Sequence, residues 1–339
     1  MNRKRQLLII IGIVAAITAV VSHGLVRWLG IETTFGGYWV LGPGAGKPSV
    51  FMSGSSLAGD GVSWKRISDA LNVRIEGWAV AGSSPSEWEH FQGRAEGTLT
   101  TVLVVSAYDL NEYIVCDFRA EMAPLGRTIR DLWRTHADWP LCKRLLSQYP
   151  LAYVRVLFPT SGRSNGVMVG VREKFKELAG GVFALQAEAG PTLSMGGGEL
   201  TKQYKTEKIS DWDQGRMLRR LTEMKIACQG KQAFDGPKKK AFLRMLEKGS
   251  KQGHVIVVVL PVSPAYSREF LTPEVNRAFE QGLAEARSAV PEATWVRLDR
   301  IDKLHSNEYF WDLVHMNIYG RQIATEVFLT SLSGFPKQP

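Results

Sequence analysis

Five short apolar runs punctuate the chain, at 49–53 (SVFMS), 73–81 (VRIEGWAVA), 101–106 (TVLVVS), 254–260 (HVIVVVL) and 294–298 (TWVRL). Each is rich in β-branched or aromatic residues and stops at turn-forming or polar residues, the signature of a short strand. Their apolar character is nearly continuous rather than alternating. A strand with one wet face alternates, whereas a strand covered on both faces does not, so these runs predict a parallel sheet with helices on either side. Between them the spacing becomes helical. Trp64, Ile67 and Leu71 share one face, as do Phe279, Leu283 and Ala286, and the stretch 319–332 carries Ile323, Val327 and Leu329. Alternation of this kind specifies an open, doubly wound α/β domain.

The pattern breaks at both ends of the first strands. Arg3, Lys4 and Arg5 precede an apolar run over residues 7–26. Twenty helical residues at about 1.5 Å each cover the roughly 30 Å hydrocarbon core of a bilayer. The run is longer than the roughly 7–15 apolar residues of a cleavable signal, and Arg27, Trp28 and Leu29 follow it in place of a small-residue cleavage site. Residues 1–28 therefore read as a cytoplasmic tail and a single membrane anchor, with a cleaved signal peptide as the alternative. The basic tail predicts that everything beyond Trp28 lies outside the cytoplasm, on the periplasmic side of an inner membrane. Residues 29–48, with Gly36, Gly37, Gly42, Pro43, Gly44, Gly46 and Pro48, read as an irregular linker. GPGAGKPS at 42–49 is not a phosphate loop, since no glycine stands five positions before Gly46 and Pro48 blocks the helix that must follow Lys47.

The second break separates the third and fourth strands. Residues 111–253 are too long for a crossover and include two amphipathic basic segments, 127–148 and 217–246, with three glycines at 196–198. We read an insertion at the C-terminal edge of the sheet, mostly helical and placed to roof a site. The rest of an α/β domain spans 49–335.

Charge adds little to this picture. Of the net +9, much concentrates between Lys202 and Lys251, including Lys238, Lys239 and Lys240. That is either a solvated helix face or a surface for anionic lipid or polysaccharide. An extracytoplasmic domain argues against nucleic acid as a partner. The three cysteines, Cys116, Cys142 and Cys228, allow one disulfide and one thiol, without selecting a pair. No CxxC, HExxH or carboxylate cluster points to a metal, and no cofactor motif is present.

Two segments carry chemistry. Gly54, Ser55, Ser56 and Leu57 directly follow the first strand, where an open α/β sheet binds ligands, so a Ser56 hydroxyl there is placed to attack an acyl carbon. A Ser-rich helix cap is the structural alternative. Asp312 and His315, in FWDLVHMNIYG beyond the fifth strand, supply a base and a carboxylate to orient it. Ser83, Ser84 and Ser86 are rival hydroxyls, but their context reads as a turn and cap before a helix over 87–91.

With these segments in order, the chain resembles the SGNH (GDSL-type) hydrolase superfamily. GSSL at 54–57 stands in place of the family's GDS-like block, with Ser56 at the nucleophile position. Gly82, in WAVAGSSPSEW, matches the glycine whose backbone N–H serves the oxyanion hole. In the third block Asp109 matches, but Tyr108 occupies the position of the asparagine that donates to the oxyanion; Asn111, three residues on, or the Tyr108 hydroxyl would have to replace it. Asp312 and His315 match the DxxH block, with Asn317 and Gly320 opening the last helix. The resemblance covers roughly 49–107 and 254–332.

The resemblance implies a flavodoxin-like, doubly wound five-stranded parallel sheet and a serine esterase or O-acyltransferase using Ser56, His315 and Asp312. It further implies acyl, above all acetyl, esters of cell-envelope carbohydrate as substrates, and a membrane-bound O-acyltransferase as a partner that could hand over the acyl group. The alternative is a catalytically degenerate member retained as a component of an envelope polysaccharide complex.

Overall fold

A computed structural model of the chain describes residues 3–28, 38–42, 49–80, 82–92, 99–114, 158 and 206–332. The chain divides into two compact units. The first contains helix α1 (Arg3–Trp28), within which Lys4–Leu25 has a mean hydropathy of 2.4, long and apolar enough to cross a membrane. Leu8, Ile10, Val14 and Val20 are more than half exposed, an apolar surface suited to lipid contact.

The second unit holds a six-stranded sheet: β1 (Tyr38–Leu41), β2 (Val50–Ser55), β3 (Ile75–Val80), β4 (Thr100–Val105), β5 (His254–Val259) and β6 (Thr294–Arg297). The spatial order is β1-β3-β2-β4-β5-β6. β2 to β6 are the five expected strands and all pair in parallel. β1 was not expected: Tyr38–Leu41 lies in the segment read as irregular linker and pairs antiparallel to β3, with Tyr38 opposite Trp78. From β2 the chain runs outward to β3 and then returns to β4 on the other side. The strand order therefore reverses at β2, which opens a crevice at the C-terminal ends of β2 and β4.

The continuous apolar runs follow from burial on both faces. Leu103, Val105, Val255, Val257 and Val259 point into one core, and the intervening Val102, Val104, Ile256 and Val258 are buried on the other side. Each such side chain contributes roughly 1.5–3 kcal/mol on burial. The helices are α2 (Ser56–Gly61), α3 (Trp64–Leu71), α4 (Pro85–Gln92), α5 (Ala107–Leu110), α6 (Gln214–Ala227), α7 (Pro237–Gln252), α8 (Pro264–Phe270), α9 (Pro273–Ala289) and α10 (Ile318–Leu332). α7 and α9 cover the first core through Phe242, Met245, Leu246, Phe279, Leu283 and Ala286. α10 packs on α2 and α3, where Trp64 and Phe328 meet edge to face at 6.0 Å.

Three sequence expectations change. α7 belongs to the core rather than to an insertion reaching 253, and the predicted basic segment 217–246 is two helices, α6 and α7. Lys238 is buried rather than solvated: its ammonium donates to the carbonyls of Asn111 and Ile114 at 2.8 and 2.7 Å. The buried Glu112 carboxylate accepts the first amides of α7, from Lys238 and Lys239, at 3.0 and 3.2 Å. Together they tie the segment after β4 to the start of α7, satisfying helix-terminal N–H groups that would otherwise be stranded. The segment 127–148 and the glycines at 196–198 lie outside the described residues.

Candidate active site

β2 ends in two tight positions. A Cβ on Gly54 would lie 2.4 Å from the Ala58 side chain and 3.1 Å from the Val104 carbonyl, so only glycine lets α2 start this close to β4. Ser55 caps α2, its hydroxyl accepting the Leu57 amide at 3.1 Å. Ser56 is therefore the first residue of a short helix, not of a turn; α2 is an additional helix, and the face of Trp64, Ile67 and Leu71 belongs to α3. Ser55 and Leu57 are buried while Ser56 is only partly covered, which leaves its hydroxyl reachable at the crevice.

The loop before α10 brings the other two residues to it. Ser56 Oγ lies 2.8 Å from His315 Nε2, and His315 Nδ1 lies 2.8 Å from Asp312 Oδ2. The other Asp312 oxygen accepts the backbone amides of Val314 and His315 at 2.9 and 2.7 Å, so the carboxylate closes its own turn while facing the imidazole. Trp311 stacks on the ring of His315 at 5.1 Å. The Ser263 amide, after β5, donates to the Leu313 carbonyl. Asn317 caps α10, accepting from the Tyr319 and Gly320 amides at 3.1 Å, and its NH₂ donates to the Glu308 carbonyl at 2.6 Å. A Cβ on Gly320 would lie 2.4 Å from the Tyr309 carbonyl. The loop is fixed at both ends.

An ionised Asp312 can only accept, which puts a proton on Nδ1; in the neutral imidazole Nε2 is then the acceptor for the Ser56 hydroxyl. Burial disfavours the imidazolium, but the charge and hydrogen bond of Asp312, with Asp60 and Asp109 behind it, outweigh that and raise the His315 pKa above 6.5. Burial also works against the Asp312 carboxylate, and there His315 and the two amides win, holding its pKa below the usual range. A proton can pass from Ser56 Oγ to Nε2 while a charged Asp312 stabilises the cation that forms.

The expected oxyanion residues lie as follows. Gly82 adopts a left-handed φ of 70° in the turn after β3. Tyr108 meets Tyr266 edge to face at 6.3 Å, and burial, with the charges of Asp109 and Asp312, pushes its hydroxyl up to about 12, so it remains a donor at neutral pH. Asn111 is fully buried. Its carbonyl oxygen accepts the amides of Tyr113 and Ala233 at 3.1 Å, which leaves the NH₂ as a buried donor with no partner among the described residues. Asp109 is buried against the Ser106 hydroxyl at 2.8 Å, and burial lifts its carboxyl to about 6 against the opposing pull of Ser55 and Ser106.

The rival serines belong to the start of α4. Ser83 Oγ accepts from Trp88 Nε1 at 2.7 Å, and the Ser84 amide donates to Glu87, which closes the first turn. Cys228 is a buried free thiol, and Cys116 and Cys142 lie outside the described residues. Among the described residues no group of three or more His, Cys, Asp or Glu is placed to hold a metal.

Sequence reasoning missed Asp60, Trp311 and Arg321. Asp60 is buried one helical turn beyond Ser56, and its charge acts on both His315 and Arg321. The i+4 spacing from Ser56 was the available signal. No protein-family model matches the chain, and no curated protein matches it either.

Proposed function

We propose that this protein is a membrane-anchored serine esterase or O-acyltransferase of the SGNH type, facing outward and acting on acyl esters of envelope carbohydrate. The observation that carries the reading is the unbroken hydrogen-bonded chain Ser56–His315–Asp312, at 2.8 Å in each link. Ser56 Oγ attacks the ester carbonyl as its proton moves to Nε2. The oxyanion collapses, the leaving alcohol takes the proton from Nε2, and an acyl-Ser56 remains. A second hydroxyl, from water or from a sugar, then gives its proton to Nε2, attacks the acyl carbon and releases Ser56.

The amides near Ser56 and Gly82 and the unused NH₂ of Asn111 are the proposed oxyanion donors, with the Tyr108 hydroxyl as a further one. The helix α1 supplies the anchor, and Arg3, Lys4 and Arg5 at its start favour an inside N-terminus. A membrane-bound O-acyltransferase partner would suit the anchored position. The rival reading, a degenerate SGNH-type component of an envelope complex, draws on Tyr108 in the asparagine position. One experiment separates them: p-nitrophenyl acetate turnover by the full chain in detergent, beside Ser56→Ala. The proposal expects the variant to fall to the uncatalysed rate; equal rates would remove the catalytic reading.

A further inference from the structure

Every polar atom of Asn111 but one is engaged. Its N–H donates to the Tyr108 carbonyl at 3.3 Å. Its own carbonyl accepts from the Ile114 amide at 3.1 Å and from the Lys238 ammonium at 2.8 Å. Its side-chain oxygen accepts the Tyr113 and Ala233 amides, each at 3.1 Å. Two donors on the side-chain oxygen fix the orientation of the amide, since turning it over would set the NH₂ against two N–H groups. The NH₂ is the one group held in reserve, buried and without a partner among the described residues. A buried donor in that state is unfavourable, so the residue that carries it must be held in place by others.

The hold comes from residues 122 and 127 positions further along the chain. Ala233 meets this segment twice: its N–H goes to the Asn111 side chain, and its carbonyl accepts the Glu112 amide at 2.8 Å. At the start of α7 the Glu112 carboxylate accepts the Lys238 and Lys239 amides. A Cβ on Gly236 would stand 2.6 Å from the Glu112 carboxyl carbon, so a glycine is what lets α7 begin this close. The Lys238 ammonium then donates to the carbonyls of both Asn111 and Ile114, bridging the two ends of the segment 111–114. Lys238 is only 4% exposed. Taking an ammonium out of water is unfavourable, and an apolar side chain would fill the same space without that penalty. An apolar side chain could not hold two carbonyls, and these two bracket the turn that carries the reserved NH₂.

We infer that Lys238 is a positioning residue for the reaction, its ammonium holding the 111–114 segment so that the Asn111 NH₂ stays placed for the oxyanion. The inference rests on the proposed catalysis with Asn111 as a donor; Lys238 acts through Asn111. The test is a double-mutant cycle on kcat for p-nitrophenyl acetate, with the full chain in detergent. Lys238→Met keeps most of the side chain's length and removes its donors. It is expected to lower kcat about 10–100-fold with little change in KM, as displacing a group in the site by about an ångström does. In the Asn111→Asp background the NH₂ is already gone, and the same change is expected to lower kcat by no more than about a further twofold. A lysine that only stabilises the fold has no reason to lose its effect there. Lys238→Gln, which can still donate to one carbonyl, runs through the same cycle and keeps the test open if Lys238→Met does not fold. A loss of kcat that vanishes beside Asn111→Asp supports the inference. Three results overturn it while Ser56→Ala remains inactive: unchanged kcat in the Lys238 variants, losses that multiply with that of Asn111→Asp, or wild-type kcat in Asn111→Asp itself. Equal rates for Ser56→Ala and wild type would instead remove the catalytic reading, and the positioning role with it.

Discussion

Asp312, which contacts the His315 imidazole, and Asp109, which acts on it only through its charge, are both buried, and the protein treats them oppositely. Asp312 collects three N–H donors: the ring of His315 and the amides of Val314 and His315. Asp109, behind β4, is buried with a hydroxyl from Ser106 on one oxygen, while its other oxygen has no partner among the described residues. Burial opposes ionisation at both. At Asp312 the donors win and the pKa falls; at Asp109 they do not, and it rises to about 6. The residue type is the same, and the count of converging donors decides whether it is a permanent anion or a group that is protonated in mild acid. On the proposed mechanism Asp312 orients and charges the base, and Asp109 supports the wall on which Tyr108 and Asn111 sit.

The largest break in this comparison should come from Asp312→Asn. It retains the side-chain shape but removes the anion, and kcat should fall about 10³–10⁴-fold. The wild-type acid limb offers a second reading of the same contact. His315 must be neutral to accept the Ser56 proton, and its folded pKa is raised, so kcat/KM should fall as pH drops through a value above 6.5. In Asp312→Asn the residual activity should keep its acid limb to a lower pH. A limb that does not move would mean that Asp312 is not what holds the imidazolium.

Next in size is Asn111→Asp. This change keeps an acceptor for the Tyr113 and Ala233 amides and deletes the unused donor. If that NH₂ serves the oxyanion, kcat should fall about 10²–10³-fold with little change in KM. A variant that melts earlier but keeps wild-type kcat would place Asn111 in the framework alone.

The smallest effect on turnover, and the clearest on stability, belongs to Asp109→Asn. The folded carboxyl holds its proton up to about pH 6, and an unfolded one releases it near 3.8. The folded state thus binds more protons in that window. The stability associated with Asp109 is complete below about pH 4 and is lost as pH rises through about 6. The shift of about two units corresponds to roughly 3 kcal/mol. The difference in unfolding free energy between variant and wild type should therefore move toward the variant between pH 4 and 7. Parallel stability curves would show that Asp109 is not raised.

The sequence was readable wherever one physical requirement acted alone. The parallel strands needed apolar residues on both faces and announced themselves, with ends one or two residues off. Ser56, Asp312 and His315 stood out because each follows a strand end. β1 was hidden because Tyr38–Leu41 is only four residues long and sits among glycines, so it has no period to read. α10 misled in detail. Ile323, Val327 and Leu329 are half-buried and Ala324, Phe328 and Leu332 are buried, because apolar residues stand at adjacent positions, 323–324 and 327–329, and the pattern does not say which of them faces the core. Leu71, placed with Trp64 and Ile67, is 40% exposed at the end of α3. Lys238 was unreadable for another reason: charge predicts solvent, and only the tertiary fold supplies the two carbonyls that bury its ammonium.

The most direct test of the central claim is a fluorophosphonate label on the full chain, located by peptide mass spectrometry. The account predicts one modified residue, Ser56, at a rate that falls as pH drops through the His315 titration and that collapses in His315→Ala. A label on Ser83, Ser84 or Ser86, or labelling of Ser56 that is indifferent to His315, would contradict it.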